Sequence, residues 1–228
     1  MNFYSIAPFI KEFYPEYWGE YSYDANKCIR IHKVDDQWGL FCNFASTPLT
    51  VNGFTFKSSE QLFQLMKFKD REVLLNVLNG ITRNGKRCHE VKRTVKSYEK
   101  EYRREDWGSM IVDAMKFCLQ TKYEQSEVFR NKLQETSGSF IVEDQSSFSK
   151  KSPDAWGAKL RDDKYVGPNL LGRLLMELRD NGKLEFELPD DAFDFIEILK
   201  QNQNSAAASG QTLFSVLDSN VEPVYKMD

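Results

Sequence analysis

Cysteine pairs at the spacing of a metal or redox site are missing from this chain. Its four cysteines (Cys28, Cys42, Cys88 and Cys118) stand far apart and form no CxxC. The two histidines, His32 and His89, complete no zinc-ligand pattern. Free thiols in a reducing compartment are the economical reading. Also missing is any apolar run long enough to cross a membrane. Met1 to Ile10 lacks the basic start and small-residue cleavage site of a signal peptide, so the expected location is the cytoplasm. A basic excess is absent too. The net charge of −3 and pI near 5.6 exclude a basic nucleic-acid coat protein.

What the chain does have is apolar mass. Its 228 residues are 41% hydrophobic and 14% aromatic, enough for one substantial core with a small appendage. Residues 1–34 hold many of the aromatics, among them Phe3, Tyr4, Phe9, Phe13, Tyr14, Tyr17 and Trp18. They are expected to pack onto the domain, with one of them as a candidate stacking lid over a ligand. Pro8, Pro15 and Gly19 argue against one continuous helix there. Residues 27–34 alternate as a strand does, and a second extended piece is expected at Phe41 to Phe44. Thr50 to Phe56 reads as a hairpin turning at Asn52-Gly53.

The most informative stretch is Ser58 to Lys69. Ser58 is an N-cap candidate and Gln61 can complete a capping box. Leu62, Phe63, Leu65 and Met66 give an apolar side. Glu60, Gln64 and Lys67, at i, i+4 and i+7, share another face. That face is either a solvated surface or a row of acid, amide and amine looking into a pocket.

Further on, a helix is expected from Asp70 to Gly80. Residues 83–104 carry nine Lys or Arg against three Glu, a local excess of +6, interleaved with Tyr98 and Tyr102. This is either a solvated helical face or a docking surface for phosphates or nucleic acid. Asp106-Trp107 opens a helix to about Tyr123, and free N–H groups in its first turn would welcome an anion. A short helix over Ser126–Gln134 and a strand over Ser139–Glu143 follow. The loop 145–168 shows little regular pattern. A buried helix, Asn169 to Asp180, is expected with Asn169 as cap and Gly182 as stop. Residues 183–199 read as a strand plus a helix, 201–211 as a flexible linker, and 212–228 as a tail that folds back or stays disordered.

A series of patches recurs in fixed order: Trp38-Gly39-Leu40-Phe41-Cys42-Asn43-Phe44, Ser59-Glu60 with Gln64 and Lys67, Asp106-Trp107, Val142-Glu143, Trp156-Gly157, and Gly167-Pro168-Asn169-Leu170-Leu171-Gly172-Arg173-Leu174-Leu175-Met176-Glu177-Leu178-Arg179. In this the chain resembles the NADAR, or YbiA-like, family across about residues 35–182. The resemblance implies an α+β fold, a mostly helical single domain with a small antiparallel sheet. It implies an N-glycosidase with no metal or organic cofactor. The substrate it implies first is ADP-ribosylated guanine in DNA or RNA, with an antitoxin-like role, docked through the basic segment 83–104. Two alternatives stay open: hydrolysis of phosphoribosylamino-pyrimidine intermediates of riboflavin synthesis, and non-catalytic binding of ADP-ribose or NAD.

Matched residue by residue, Glu60 and Lys67 are the catalytic candidates. Asn43, Phe44, Gln64, Trp107, Glu143, Asp154, Trp156, Gly157 and Asn169 are the candidate substrate-binding positions. Cys42 replaces the family's usual serine before Asn43. The Asp-x-x-Trp-Gly-x-Gly pattern common in the family is one residue shorter here, as Asp154-Ala155-Trp156-Gly157-Ala158-Lys159, and lacks the second glycine. Arg173 and Arg179 are expected in structural ion pairs.

Overall fold

Turn and cap chemistry sets most of the element boundaries in the computed structural model, which describes residues 6–84, 88–148 and 152–208. In chain order the elements are α1 (Ala7–Phe13), β1 (Tyr21–Asp24), β2 (Cys28–Ile31), β3 (Leu49–Val51), β4 (Phe54–Phe56), α2 (Ser59–Leu65), α3 (Arg71–Asn84), α4 (Cys88–Tyr102), α5 (Trp107–Gln125), α6 (Glu127–Gln134), β5 (Phe140–Glu143), β6 (Lys159–Arg161), β7 (Lys164–Gly167), α7 (Leu170–Asn181) and α8 (Asp194–Ala208). The fold is α+β and mostly helical. Asn52 and Gly53 both adopt positive φ, 48° and 77°, as a two-residue hairpin turn requires, and join β3 to β4. Ser58 Oγ accepts the Gln61 N–H at 3.2 Å, capping α2. The return half of the capping box slips by one residue: Gln61 Oε1 takes the N–H of Lys57, at 2.7 Å, rather than that of Ser58.

Three small sheets flank the helices. β1, β7 and β6 form an antiparallel sheet, and β3–β4 is an antiparallel hairpin. The third pair, β2–β5, is parallel, with Cys28 opposite Phe140 and Ile31 opposite Glu143. One main apolar core is built around α2, α5 and α7. It includes Leu62, Phe63, Met66, Trp107, Met115, Leu170, Leu174 and Leu178.

Several local expectations need correction. Gly80 does not stop α3, which runs on to Asn84. Its missing Cβ instead lets α4 approach, since a Cβ would lie 2.7 Å from the Thr94 side chain. Phe41 to Phe44 is not extended: Gly39–Phe41 is a 3-10 turn. The irregular loop contains a hairpin, β6–β7, reversing at Asp162, whose φ is 54°. Among the described residues, 183–193 form no strand. The 201–211 stretch is helical as far as Ala208, where three alanines favour helix, and Asn202 is buried. Residues 1–5 (with Phe3 and Tyr4), 209–211 and the tail 212–228 lie outside the described residues.

Charged side chains tie the layers together from beneath. Asp191, just before α8, accepts from Lys69 and from Arg104, each at 2.6 Å, and Arg104 also holds Asp106 at 2.7 Å. The Lys69 and Arg104 cations hold the Asp191 carboxyl below its usual range. Arg179 is structural as expected: it pairs with Asp180 and donates to the carbonyls of Thr136 and Ser139. Arg173 instead donates to the carbonyls of Tyr17 and Glu16, and its guanidinium lies 4.2 Å from the Tyr21 ring centroid. It fastens the N-terminal segment to α7.

Lys122, in α5, is wholly buried. Its Nζ donates to the carbonyl of Leu40 at 2.7 Å and reaches that of Cys42 at 3.4 Å, with the Phe129 ring centroid 4.6 Å away. Burial pushes its pKa down from 10.5 to about 7, against a weaker opposing influence of Cys42. Between those two values the unfolded chain holds a proton that the folded one has lost. Folding stability should therefore rise with pH across that window. Urea titrations of the wild type and Lys122→Met at pH 7 and pH 9 check this: the rise is expected in the wild type and should be smaller in the variant.

Candidate active site

Burial decides which way the polar face of α2 looks. Glu60, Gln64 and Lys67 are only 6%, 6% and 8% exposed, so the face is not a solvated one. All three line a cavity of about 790 Å³. Glu60 sits in the first turn of α2, and its N–H is held by the Asn43 carbonyl at 2.9 Å. Its Oε1 accepts from Gln64 Nε2 at 2.7 Å. A carboxylate only accepts, so this contact fixes the Gln64 amide the other way round. Gln64 Oε1 is then buried with no hydrogen-bond donor among the described residues.

Lys67 lies just beyond the end of α2 yet reaches the same cavity. Its carboxylate partner is Glu99 on α4, not Glu60, and the two side chains are 10% and 12% exposed. The Lys67 ammonium is also 5.7 Å from the ring centroids of both Phe63 and Trp107. Phe63 is wedged between two tryptophans, with Trp107 at 5.2 Å and Trp156 at 5.8 Å, both edge-on. Trp107 is buried and Trp156 half-buried, so Trp156 offers the more open ring.

Asn43 and Phe44 lie on the cavity wall, and so do Glu143 and Asp154. Ser59 Oγ, 3.3 Å from Asn43 Oδ1, and Met115 Sδ hold the Asn43 side chain. Asp154 is committed to its own loop. Its Oδ1 accepts from Gln145 Nε2 at 2.6 Å and from the Trp156 N–H at 2.9 Å. That pairing orients Trp156. Gly157 and Asn169 stand behind the wall instead of on it. A Cβ on Gly157 would meet the Glu143 carbonyl at 2.6 Å, so glycine lets this loop close on β5. Asn169 makes no side-chain cap for α7. It stitches α7 to β5, accepting from the Glu143 N–H at 3.1 Å and donating to the Ile141 carbonyl at 2.8 Å.

The mouth of the cavity is lined by basic groups, His32 and Lys33 after β2 and Lys96 and Arg103 on the α4 side. The first N–H groups of α5 are not all free. The Trp107 N–H donates to the Arg104 carbonyl at 3.2 Å, and Asp106 already faces Arg104. Sequence reasoning missed Glu99. Its signal was the i, i+3, i+7 spacing of Lys96, Glu99 and Arg103, which aims one face of the basic helix inward.

The family model for the NADAR domain matches residues 31–181. The chain belongs to the NADAR family. The N-glycosidase YbiA of Escherichia coli K12 is 31% identical over 160 residues, covering 69% of this chain and 89% of its own length. The Riboflavin biosynthesis protein VVA0006 of Vibrio vulnificus is 27% identical over 172 residues but is covered over only 42% of its length. The solution structure of E. coli YbiA superposes with a TM-score of 0.52 at 29% identity, over 68% of this chain and 84% of that one. Like its NADAR relatives named as N-glycosidases, this chain is a hydrolase of N-glycosyl bonds. Among the described residues no helix is long and apolar enough to cross a membrane.

Asn169 gives this subsection its test. Asn169→Ala removes the partners of two buried backbone groups and should cost about 1–3 kcal/mol of stability. Asn169→Gly, which tolerates the φ of 50°, should lose a similar amount. Urea unfolding of both variants checks it; full stability in the glycine variant would make backbone strain, not hydrogen bonding, the reason for Asn169.

Proposed function

We propose that this chain removes ADP-ribose from guanine in DNA or RNA by hydrolysing the ribose C1′–base nitrogen bond, in the cytoplasm. The observation that carries the reading is the buried polar row of Glu60, Gln64 and the Lys67–Glu99 pair beneath the Phe63, Trp107 and Trp156 rings. Breaking C1′–N develops positive charge on the ribose and negative charge on the departing base. Water adds its oxygen to C1′ and its proton ends on the base nitrogen. A buried carboxylate beside C1′ stabilises the oxocarbenium-like centre or activates that water, by analogy with glycoside hydrolysis. Glu60 has this role. Gln64 orients Glu60 and offers its own carbonyl to a donor on the substrate. Trp156, with Trp107 behind it, stacks on the base, Asn43 and Phe44 border it, and Glu143 faces the ribose hydroxyls.

Lys67 supplies a second route. Its amine forms a bond to C1′ of an opened ribose as the base departs with the proton, giving a Schiff base that water then hydrolyses. Glu99, in contact with Lys67, is the group positioned to take the ammonium proton. The exposed Arg93 and Lys100 of the basic segment, with Lys96 and Arg103 at the cavity, favour a polyanionic substrate. Arg104 contributes nothing to this surface, being buried and held by Asp106 and Asp191. A second reading, cleavage of a phosphoribosylamino-pyrimidine, is favoured by the likeness to the Vibrio protein named for riboflavin biosynthesis.

A mass-spectrometric turnover assay tests the proposal. Offered an ADP-ribosyl-guanine oligonucleotide, the wild type should yield unmodified guanine and free ADP-ribose. Glu60→Gln and Lys67→Ala should each lose about 10²-fold or more. Turnover of only the pyrimidine substrate would establish the second reading, and binding of ADP-ribose without turnover of either would remove the catalytic roles. Borohydride added during turnover should trap a sugar adduct on Lys67; an active enzyme that yields no adduct would remove the covalent route.

A further inference from the structure

The cavity has one wall that the family match does not supply. The NADAR match begins at residue 31, yet Ile6 and Phe9, at the start of α1, line the cavity. The placement of α1 is built, not incidental. The Tyr14 hydroxyl donates to the Ser109 carbonyl and lies 3.0 Å from Asp113 Oδ2, both on α5. Gly108, next to Trp107, makes the close approach possible, because a Cβ there would lie 2.7 Å from the Phe9 ring. Facing Phe9, 5.0 Å from its centroid, is the Arg103 guanidinium. Among the described residues Arg103 has no carboxylate partner. The catalytic candidates Glu60 and Lys67 lie on the floor, so this wall is left to contact the remainder of a substrate held there.

Size agrees. A cavity of about 790 Å³ lies within the ~300–1,000 Å³ range that takes a drug-sized ligand, well beyond what a pentose phosphate fills. An aromatic ring beside an arginine suits a planar base carrying phosphate. The ring offers a stacking face, and the guanidinium pairs with phosphate or stacks in turn.

We propose that Phe9 of α1 and Arg103 form a subsite for the far half of a dinucleotide-type glycosyl group, its second nucleobase and the phosphate attached to that nucleoside, which makes α1 a specificity element of this chain. The inference rests on the N-glycosidase reading above and adds to it the discrimination between ADP-ribosyl and phosphoribosyl substrates. Phe9 and Arg103 act by binding, away from the bond that breaks.

Calorimetry with two ligands tests it without relying on turnover. Phe9→Ala and Arg103→Ala should weaken ADP-ribose binding by about tenfold or more, the usual scale of a lost stacking or charged contact. Ribose 5-phosphate binding should stay unchanged. Gly108→Ala, a change that helix propensity favours, should reproduce the ADP-ribose loss by displacing the Phe9 ring while the fold remains intact by circular dichroism. Equal effects on both ligands, or on neither, overturn the subsite. If the wild type hydrolyses its substrate yet binds ADP-ribose no better than ribose 5-phosphate, the subsite fails while the glycosidase reading stands. If the wild type turns over neither substrate but the variants lose ADP-ribose selectively, the subsite stands and the ADP-ribosyl glycosidase reading fails.

Discussion

The Lys67–Glu99 ion pair is the contact on which the rest of the site depends. Both side chains are almost out of water, and neither could stay there alone: removing one partner of a buried pair typically costs ~3–5 kcal/mol. The pair therefore ties α4 to the segment that follows α2, where the Arg104 N–H also donates to the Lys67 carbonyl at 2.9 Å. The inward face of the basic helix brings Lys96 and Arg103 to the cavity mouth. The cavity lining holds both signs of charge, with Glu60, Glu143 and Asp154 as well as Lys67, Lys96 and Arg103.

The supports of this arrangement are polar and lie outside the cavity. The Asp191 carboxylate gathers Lys69 and Arg104, which bracket the α2–α4 region from the side of α8. Asn169 fastens α7 to the strand that ends at Glu143. Lys122 holds the carbonyls of the turn leading into Asn43, and Asn43 in turn holds the N–H of Glu60. Each is a local hydrogen-bond solution to a buried backbone or charge, and each lies one contact behind a cavity residue.

Much of this was legible in the chain. The Asn52-Gly53 turn, the Ser58 cap and the leucine stripe of α7 are local signals, and local signals survive folding. Glu60, Gln64 and Lys67 could be placed on one face by spacing alone, but spacing could not say whether the face was wet. That needed α4, more than twenty residues away. The β6–β7 hairpin was hidden because its turn uses Asp162 at positive φ where glycine or asparagine is commoner. Gly80 misled for the opposite reason: a residue that ends helices was there for the sake of a neighbouring helix. Asn169 stands at the N-cap position of α7 as its residue type suggested, but its side chain is spent on a strand instead of the cap.

The parallel pairing of β2 with β5 joins segments more than a hundred residues apart in the chain. It carries His32 on one side and Glu143 on the other to the same cavity. Parallel pairs need long crossovers, and distant pairings close late because chain entropy opposes them until other structure has formed. The hairpin, the helices and most of the core can assemble from nearer neighbours. Closing this side of the site therefore depends on β5, and a nascent chain cannot complete it until that strand has left the ribosome.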